Sequence, residues 1–179
     1  MSELDEAWAL GLAEAEARAR AAGRTDVAQY LALRSSNDLM RRISSKWLLG
    51  MFATAAGEAN RAGAAIQISS EEGHRFKVGN NSMVGRSLSL GRGVRMLLVE
   101  VGWPRTPSDG FIRGGGLAFA NIKHFGIQPA NEALRLVLNP TGTPRWIVEG
   151  KHGRHIEPHE LHEEDVKNHL AILLQDSQT

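Results

Sequence analysis

Apolar residues at Leu4, Trp8, Leu12, Ala15 and Ala19 recur three and four positions apart, which places them on one face of a helix and the acids and arginines between them on the others. Ser2 with Asp5 supplies a start signal. Gly23 supplies a stop, because glycine tolerates the left-handed conformation that closes a helix. Thr25 is the expected cap of a second, short helix carrying Val27, Tyr30 and Leu31. Ser35 with Asp38 is an acidic variant of the capping box and predicts the opening of a third. Its stripe would be Leu39, Ile43, Trp47, Met51 and Ala55, widened by Leu48 and Phe52, so this helix should be the most buried of the three and should stop at Gly63.

Beyond Gly63 the apolar period drops from 3.6 to 2. Ile66 and Ile68 alternate with Gln67 and Ser69, and Phe76 and Val78 with Arg75 and Lys77, a strand pattern in both cases. Glu71, Glu72 and Gly73 between them read as a hairpin turn. With Ile66, Ile68, Phe76 and Val78 on the core side, Gln67, Ser69, Arg75 and Lys77 share a polar, basic face. Further strands are expected at 83–90, 94–103, 117–125, 133–138 and 145–149, with Gly79-Asn80-Asn81-Ser82 as one of the intervening turns. The almost unbroken apolar run from Val94 to Val101 marks a central strand. The connections are too short for crossover helices, so neighbouring strands should be antiparallel.

Pro158 suits the first turn of a terminal helix whose stripe is Leu161, Val166, Leu170, Leu173 and Leu174, with Glu160, Glu163, Glu164 and Asp165 at its positive end. The expected fold class is therefore α+β, with three N-terminal helices and one C-terminal helix on an antiparallel sheet of six or seven strands. It is read as a single domain over 1–179, divided into a helical region (residues 1–62), the sheet (63–157) and the terminal helix (158–175).

Composition narrows the function classes. A chain of 179 residues with 42% apolar and 23% charged residues has enough apolar matter for a core, and its 0 cysteines exclude disulfides, thiolate catalysis and Cys-based zinc sites. No run is long and apolar enough for a transmembrane segment, and the opening residues lack the basic and apolar parts of a signal peptide, so a soluble, cytoplasmic protein is expected. The net charge of +1 hides a segregation. Residues 73–155 carry twelve Lys or Arg against four acids, whereas 156–179 carry one lysine against six acids. Such asymmetry implies an anionic partner for the middle of the chain, or the chain's own acidic terminal helix.

The basic residues gather in two glycine-rich places. Gly91-Arg92-Gly93-Val94-Arg95 precedes the central strand. The connection from Trp103 to Gly116 is much longer than a hairpin requires and contains Arg105, Phe111, Arg113 and the run Gly114-Gly115-Gly116. Glycines let backbone amides converge on an anion, and arginines bring planar, bidentate charge. Arg92, Arg95, Trp103, Arg105, Phe111, Arg113, Gly114 and Gly115 are thus the candidate binding residues, with Trp103, Phe111 or Trp146 available for base stacking. An acidic protein surface would accept the same basic rim.

His152, His155, His159, His162 and His169 form a second constellation. On a helix starting near Pro158, His159 and His162 would share a face with His155 close by, a geometry open to zinc, with Glu163 or Glu100 as base of a metal-dependent hydrolase. The spacing fits neither HExxH nor a zinc finger, and no GxSxG, phosphate-loop or complete dinucleotide motif occurs. Glu100, the one acid inside the apolar strand, must be paired, with Arg95 or Arg113 as expected partner; His124 at the end of the next strand is similarly ambiguous. These residues favour a non-enzymatic binding or interaction module with an anionic partner, nucleic acid first, no catalytic residue and no obligatory cofactor. The alternatives are the hydrolase and a structural homo-oligomer subunit.

Overall fold

The computed structural model describes residues 3–112, 114–150 and 157–175. The fold is α+β, and the described residues form three α-helices, α1 (Glu3–Ala21), α2 (Thr25–Arg61) and α3 (Glu163–Leu174). Seven strands form one sheet: β1 (Gln67–Val78), β2 (Asn81–Arg92), β3 (Arg95–Trp103), β4 (Ala118–His124), β5 (Glu132–Leu138), β6 (Pro144–Val148) and β7 (His159–Glu160). Each strand pairs antiparallel with its sequence neighbour, in the order β1 to β7. By internal contacts the chain divides into two compact units, 1–43 and 44–179.

Two helices precede the sheet, not the expected three. Nothing between Leu31 and Asp38 breaks a helix, and Asp38 does not act within a cap. Its carboxylate accepts from Trp8 Nε1 at 3.3 Å and from Arg41 Nη1 at 2.7 Å. Within residues 1–43, α1 is further tied to α2 by Arg34, whose guanidinium lies 5.0 Å from the Trp8 ring centroid, and by Arg42 donating to the Asp5 carbonyl. Leu12, Ala19 and Ala28 are buried here.

In residues 44–179 the buried stripe of α2 is Ser45, Leu48, Phe52 and Ala56, while Trp47 is half exposed. The expected stripe through Leu39, Ile43 and Trp47 is therefore displaced by one position. Serines beside the apolar residues conceal the true face from a hydrophobicity reading. The Trp146 indole fixes the alignment by donating to the Ser44 carbonyl at 3.0 Å. Asn60 seals the helix end by exchanging two hydrogen bonds with the backbone of Ile66.

Paired positions in a sheet share a face. The row Val101, Ala120, Leu134 and Val148, and the row Leu88, Val99 and Ile122, lie on the face that makes the core. From α3, Val166, Leu170 and Leu173 join it. Burying such side chains gives about 1.5–3 kcal/mol each, the main stabilisation of this unit. The opposite face carries Ser87, Glu100, Asn121 and Ala133 in one row, and Gly85, Gly102, Phe119, Arg135 and Ile147 in the next.

The expected turn at Glu71-Glu72-Gly73 lies inside β1. The β1–β2 turn is at Gly79-Asn80, and the pairing steps by one residue between Glu72 and His74, where Gly73 takes a left-handed φ of 72° as the extra residue of a bulge. One inserted residue exchanges the faces of the strand. Ile68 pairs with Leu90 on the core face, whereas Phe76 pairs with Met83 on the other. The expectation that Ile68 and Phe76 share the core face is corrected accordingly. The terminal helix begins at Glu163, not near Pro158, because His159 and Glu160 pair with Val148 and Ile147 instead.

Candidate functional site

The first part of the long connection after Trp103 is built on one carboxylate. Asp109 Oδ2 accepts from the backbone amides of Arg105 at 3.2 Å and Thr106 at 3.0 Å, and from Thr106 Oγ1 at 2.9 Å. The backbone and hydroxyl of Thr106 stabilise the charged form most, with Arg105 and Arg75 assisting against burial, and hold Asp109 below its ordinary carboxyl range. The folded connection is fastened to the β1–β2 hairpin at three points. Asn81 Nδ2 donates to the Phe111 carbonyl at 3.1 Å, Arg105 Nε to the Val84 carbonyl at 3.3 Å, and Arg75 Nη1 lies 3.5 Å from Asp109 Oδ1.

This fastening ties the backbone of an aromatic residue to a hairpin end that carries cations. Phe111 is 70% exposed. Around the same hairpin end stand Arg75, exposed, Lys77, whose ammonium donates to Ser82 Oγ, and Arg105, half buried. Gly110 has a positive φ of 105°, and a Cβ there would strike the Asn81 side chain, so only glycine permits the Asn81 anchor. Arg75 and Lys77 are visible in the sequence only as a basic strand face; that the connection carrying Phe111 is tied to the same hairpin follows from the Asp109 and Asn81 hydrogen bonds, which no spacing rule anticipates.

The other candidate residues take different places. Arg92 and Arg95 donate to the last carbonyls of α3, Leu174 at 2.5 Å and Ile172 at 2.8 Å. They meet the negative end of that helix dipole. The acidic terminal helix is thus a partner of these arginines through its backbone. Trp103 is buried and covered by Arg105, whose guanidinium lies 3.9 Å from the ring centroid, and Trp146 is buried in the core. Gly114 and Gly115 form a turn with φ of 75° and 77°; Gly114 and Gly116 leave space that the Arg135 side chain fills. Arg113 lies outside the described residues.

A second polar cluster sits on the open face of the sheet. Glu100, 2% exposed, receives Asn121 Nδ2 at 2.9 Å, the Lys123 ammonium, and His74 Nε2 at 2.9 Å. The other ring nitrogen of His74 lies 3.3 Å from Glu71. Burial raises the Glu100 carboxyl, but the hydrogen bonds from Lys123, Asn121 and His74 outweigh it and bring the group below its ordinary value. The expected partner Arg95 is not used. The residues that fill the role escape a sequence reading because His74 is two strands away and reaches Glu100 across Gly85, its own pairing partner. The signal lies in the glycines. A Cβ on Gly85 would stand 1.9 Å from the Val101 carbonyl, and one on Gly102 would be 2.9 Å from Val84, so the two backbones approach where no side chain fits.

The expected histidine cluster is not assembled on a helix face. His159 belongs to β7, with Nε2 3.3 Å from Asp165, and His162 precedes α3, its amide donating to Asp165. His155 lies outside the described residues, and no group of three His, Asp or Glu among the described residues has metal-binding geometry. His169 is instead a core residue, its Nδ1 2.9 Å from His124 Nε2 and its Nε2 3.2 Å from Glu132. Both ambiguous core positions, Glu100 and His124, are thus satisfied by hydrogen bonds. Among the described residues no helix is long and apolar enough to cross a membrane. No family model, curated protein or solved structure matches the chain.

Proposed function

We propose that the chain is a non-enzymatic interaction module that contacts an anionic partner, nucleic acid first, through the joined end of the β1–β2 hairpin and the connection after Trp103. The observation that carries this reading is the exposed Phe111, whose backbone carbonyl Asn81 ties to the hairpin that carries the exposed cations Arg75 and Lys77. A ring supplies a stacking face that every base can use, and the cations supply phosphate contacts, a combination suited to single strands. Arg92, Arg95 and Trp103 leave this surface and act within the fold. Zinc and a catalytic role for His155, His159 and His162 receive no support from the arrangement of the described histidines.

Fluorescence anisotropy of labelled single- and double-stranded DNA and RNA, titrated at several salt concentrations, tests the reading. Binding should weaken steeply with salt. Arg75→Glu with Lys77→Glu should flatten the dependence of log K on log salt by about 1.4 on single strands, about 0.7 for each phosphate that is no longer neutralised. Phe111→Ala should cost about 1–3 kcal/mol of binding with the salt slope unchanged. Absence of binding at low salt, or wild-type behaviour of both variants, would overturn it.

A further inference from the structure

We infer that the buried pair of His124 and His169 is a proton-operated latch, which holds α3 on the sheet near neutral pH and releases it as the pH falls. His124 ends β4 and His169 lies in the middle of α3, and both are buried, at 3% and 4% exposed. Their facing nitrogens, His124 Nε2 and His169 Nδ1, are 2.9 Å apart, with the ring planes 22° from parallel. His169 Nε2 lies 3.2 Å from the Glu132 carboxylate at the start of β5. A contact between two ring nitrogens holds one proton, since one nitrogen must donate and the other accept. With Glu132 as the final acceptor the chain runs one way: His124 donates to His169 and His169 to Glu132, with one proton on each ring.

The docked pair accommodates one further proton and not two. The first settles on His169, between Glu132 and a His124 that reverses its tautomer to accept. The second would set N–H against N–H across the same 2.9 Å and place two imidazolium charges in the core beside one carboxylate. The other neighbours do not relieve them. From α2 comes the Phe52 ring, 6.1 Å from His169, and β3 pairs Leu97 with His124. Lys123 turns to Glu100 on the opposite face. Asp165, one turn before His169, is engaged by His159 of β7 and by the His162 amide. Arg92 and Arg95 donate to carbonyls at the far end of α3, and Glu58 of α2 acts on Lys167 on the exposed side of the helix. Once undocked, both rings take up protons around the ordinary histidine value of about 6.5. The undocked state therefore binds more protons than the docked one, so docking is favoured above that pH and lost below it. The strand ladders do not run through α3, so the helix leaves before the sheet opens.

The test is amide hydrogen exchange of the full chain, without nucleic acid, between about pH 7 and pH 5, a range above the ordinary carboxyl values, with each rate referred to its intrinsic rate at that pH. Protection of the amides at 170–174 should fall about tenfold relative to those of β3 and β4, as one excluded proton requires. His169→Gln, which keeps an amide beside His124 but takes no proton, should remove most of that fall, and His124→Gln should do the same from the sheet side. His74→Gln, on the opposite face, should respond as the wild type does. The latch would be overturned by α3 protection that is independent of pH, by equal losses in α3 and the strands, by a wild-type response in both core variants, or by a response that His74→Gln also removes. Because the readout is exchange alone, it stands or fails separately from nucleic-acid binding.

Discussion

His74 Nε2 lies 2.9 Å from Glu100 Oε2 although strand β2 runs between them. Two backbone facts make that contact. The bulge at Gly73 turns His74 onto the face of Glu100, and Gly85, the residue it must cross, has no side chain. A polar network of this kind is costly when incomplete, so every partner matters.

Glu100→Gln should therefore lower stability by about 1–3 kcal/mol, a range kept modest because the Lys123 partner is solvated. The pH dependence follows from the depressed carboxyl. Its stabilising contribution is present above the ordinary value of 4.5 and is lost as pH falls through the lower folded value. Urea unfolding of the wild type from pH 6 to pH 3 should show this acid-side loss, and the Gln variant should show a flatter profile. Equal slopes would mean that Glu100 does not carry the acid sensitivity.

Gly85→Ala should destabilise by about 3 kcal/mol or more, since the new methyl meets the Val101 carbonyl and neither backbone can withdraw without breaking the ladder. Gly91→Ala in the same strand, whose methyl would come no closer than 4.0 Å to Gln67 Cβ, should stay within about 0.5 kcal/mol. Thermal or urea denaturation of the pair separates close approach from a general loss of glycine flexibility.

Arg92→Met with Arg95→Met should cost about 1–2 kcal/mol by leaving the carbonyl end of α3 without its donors. Nucleic-acid affinity at fixed salt should be nearly unchanged. A large drop in affinity with stability intact would return these two arginines to the binding surface.

Asp109→Ala should release the connection after Trp103. Amide exchange at Arg105 and Thr106 should accelerate, because both amides lose the same acceptor, and binding that depends on Phe111 should fall with it. Exchange rates matching the wild type would show that Asn81 and Arg75 suffice to hold the segment.

The sheet is legible in the sequence because short apolar or alternating runs are separated by turns marked with glycine, asparagine and proline; β3 to β6 lie within two residues of their expected bounds. The helices are legible as helices, but not the face that α2 buries, since Ser45 and Ala56 look polar or neutral beside Leu39 and Trp47. Gly73 reads as a turn because glycine with a left-handed φ serves turns and bulges alike, and only pairing distinguishes them. For the same reason Glu100 is recognisable as a residue in need of a partner while the partner itself is not. Of the candidate site, Arg105 and Phe111 stand at the surface proposed, whereas the arginines at 92 and 95 answer a helix end whose proximity is a matter of tertiary structure.

The strict β1 to β7 order has a kinetic consequence. The β1–β2 and β2–β3 ladders close through tight turns, so this N-terminal meander can form with little loop entropy to overcome, and the remaining strands then add in sequence order, β4 only after the longer connection beyond Trp103 has closed. The contacts that close across great sequence distance are those of the helices, such as Trp146 with Ser44, 102 residues apart, and Arg92 with Leu174, 82 residues apart. Until α3 arrives, a nearly complete sheet exposes some of its apolar side. The interval before that last docking step is when this chain is most prone to aggregate, and the speed with which α3 settles onto β2 and β3 sets how long the interval lasts.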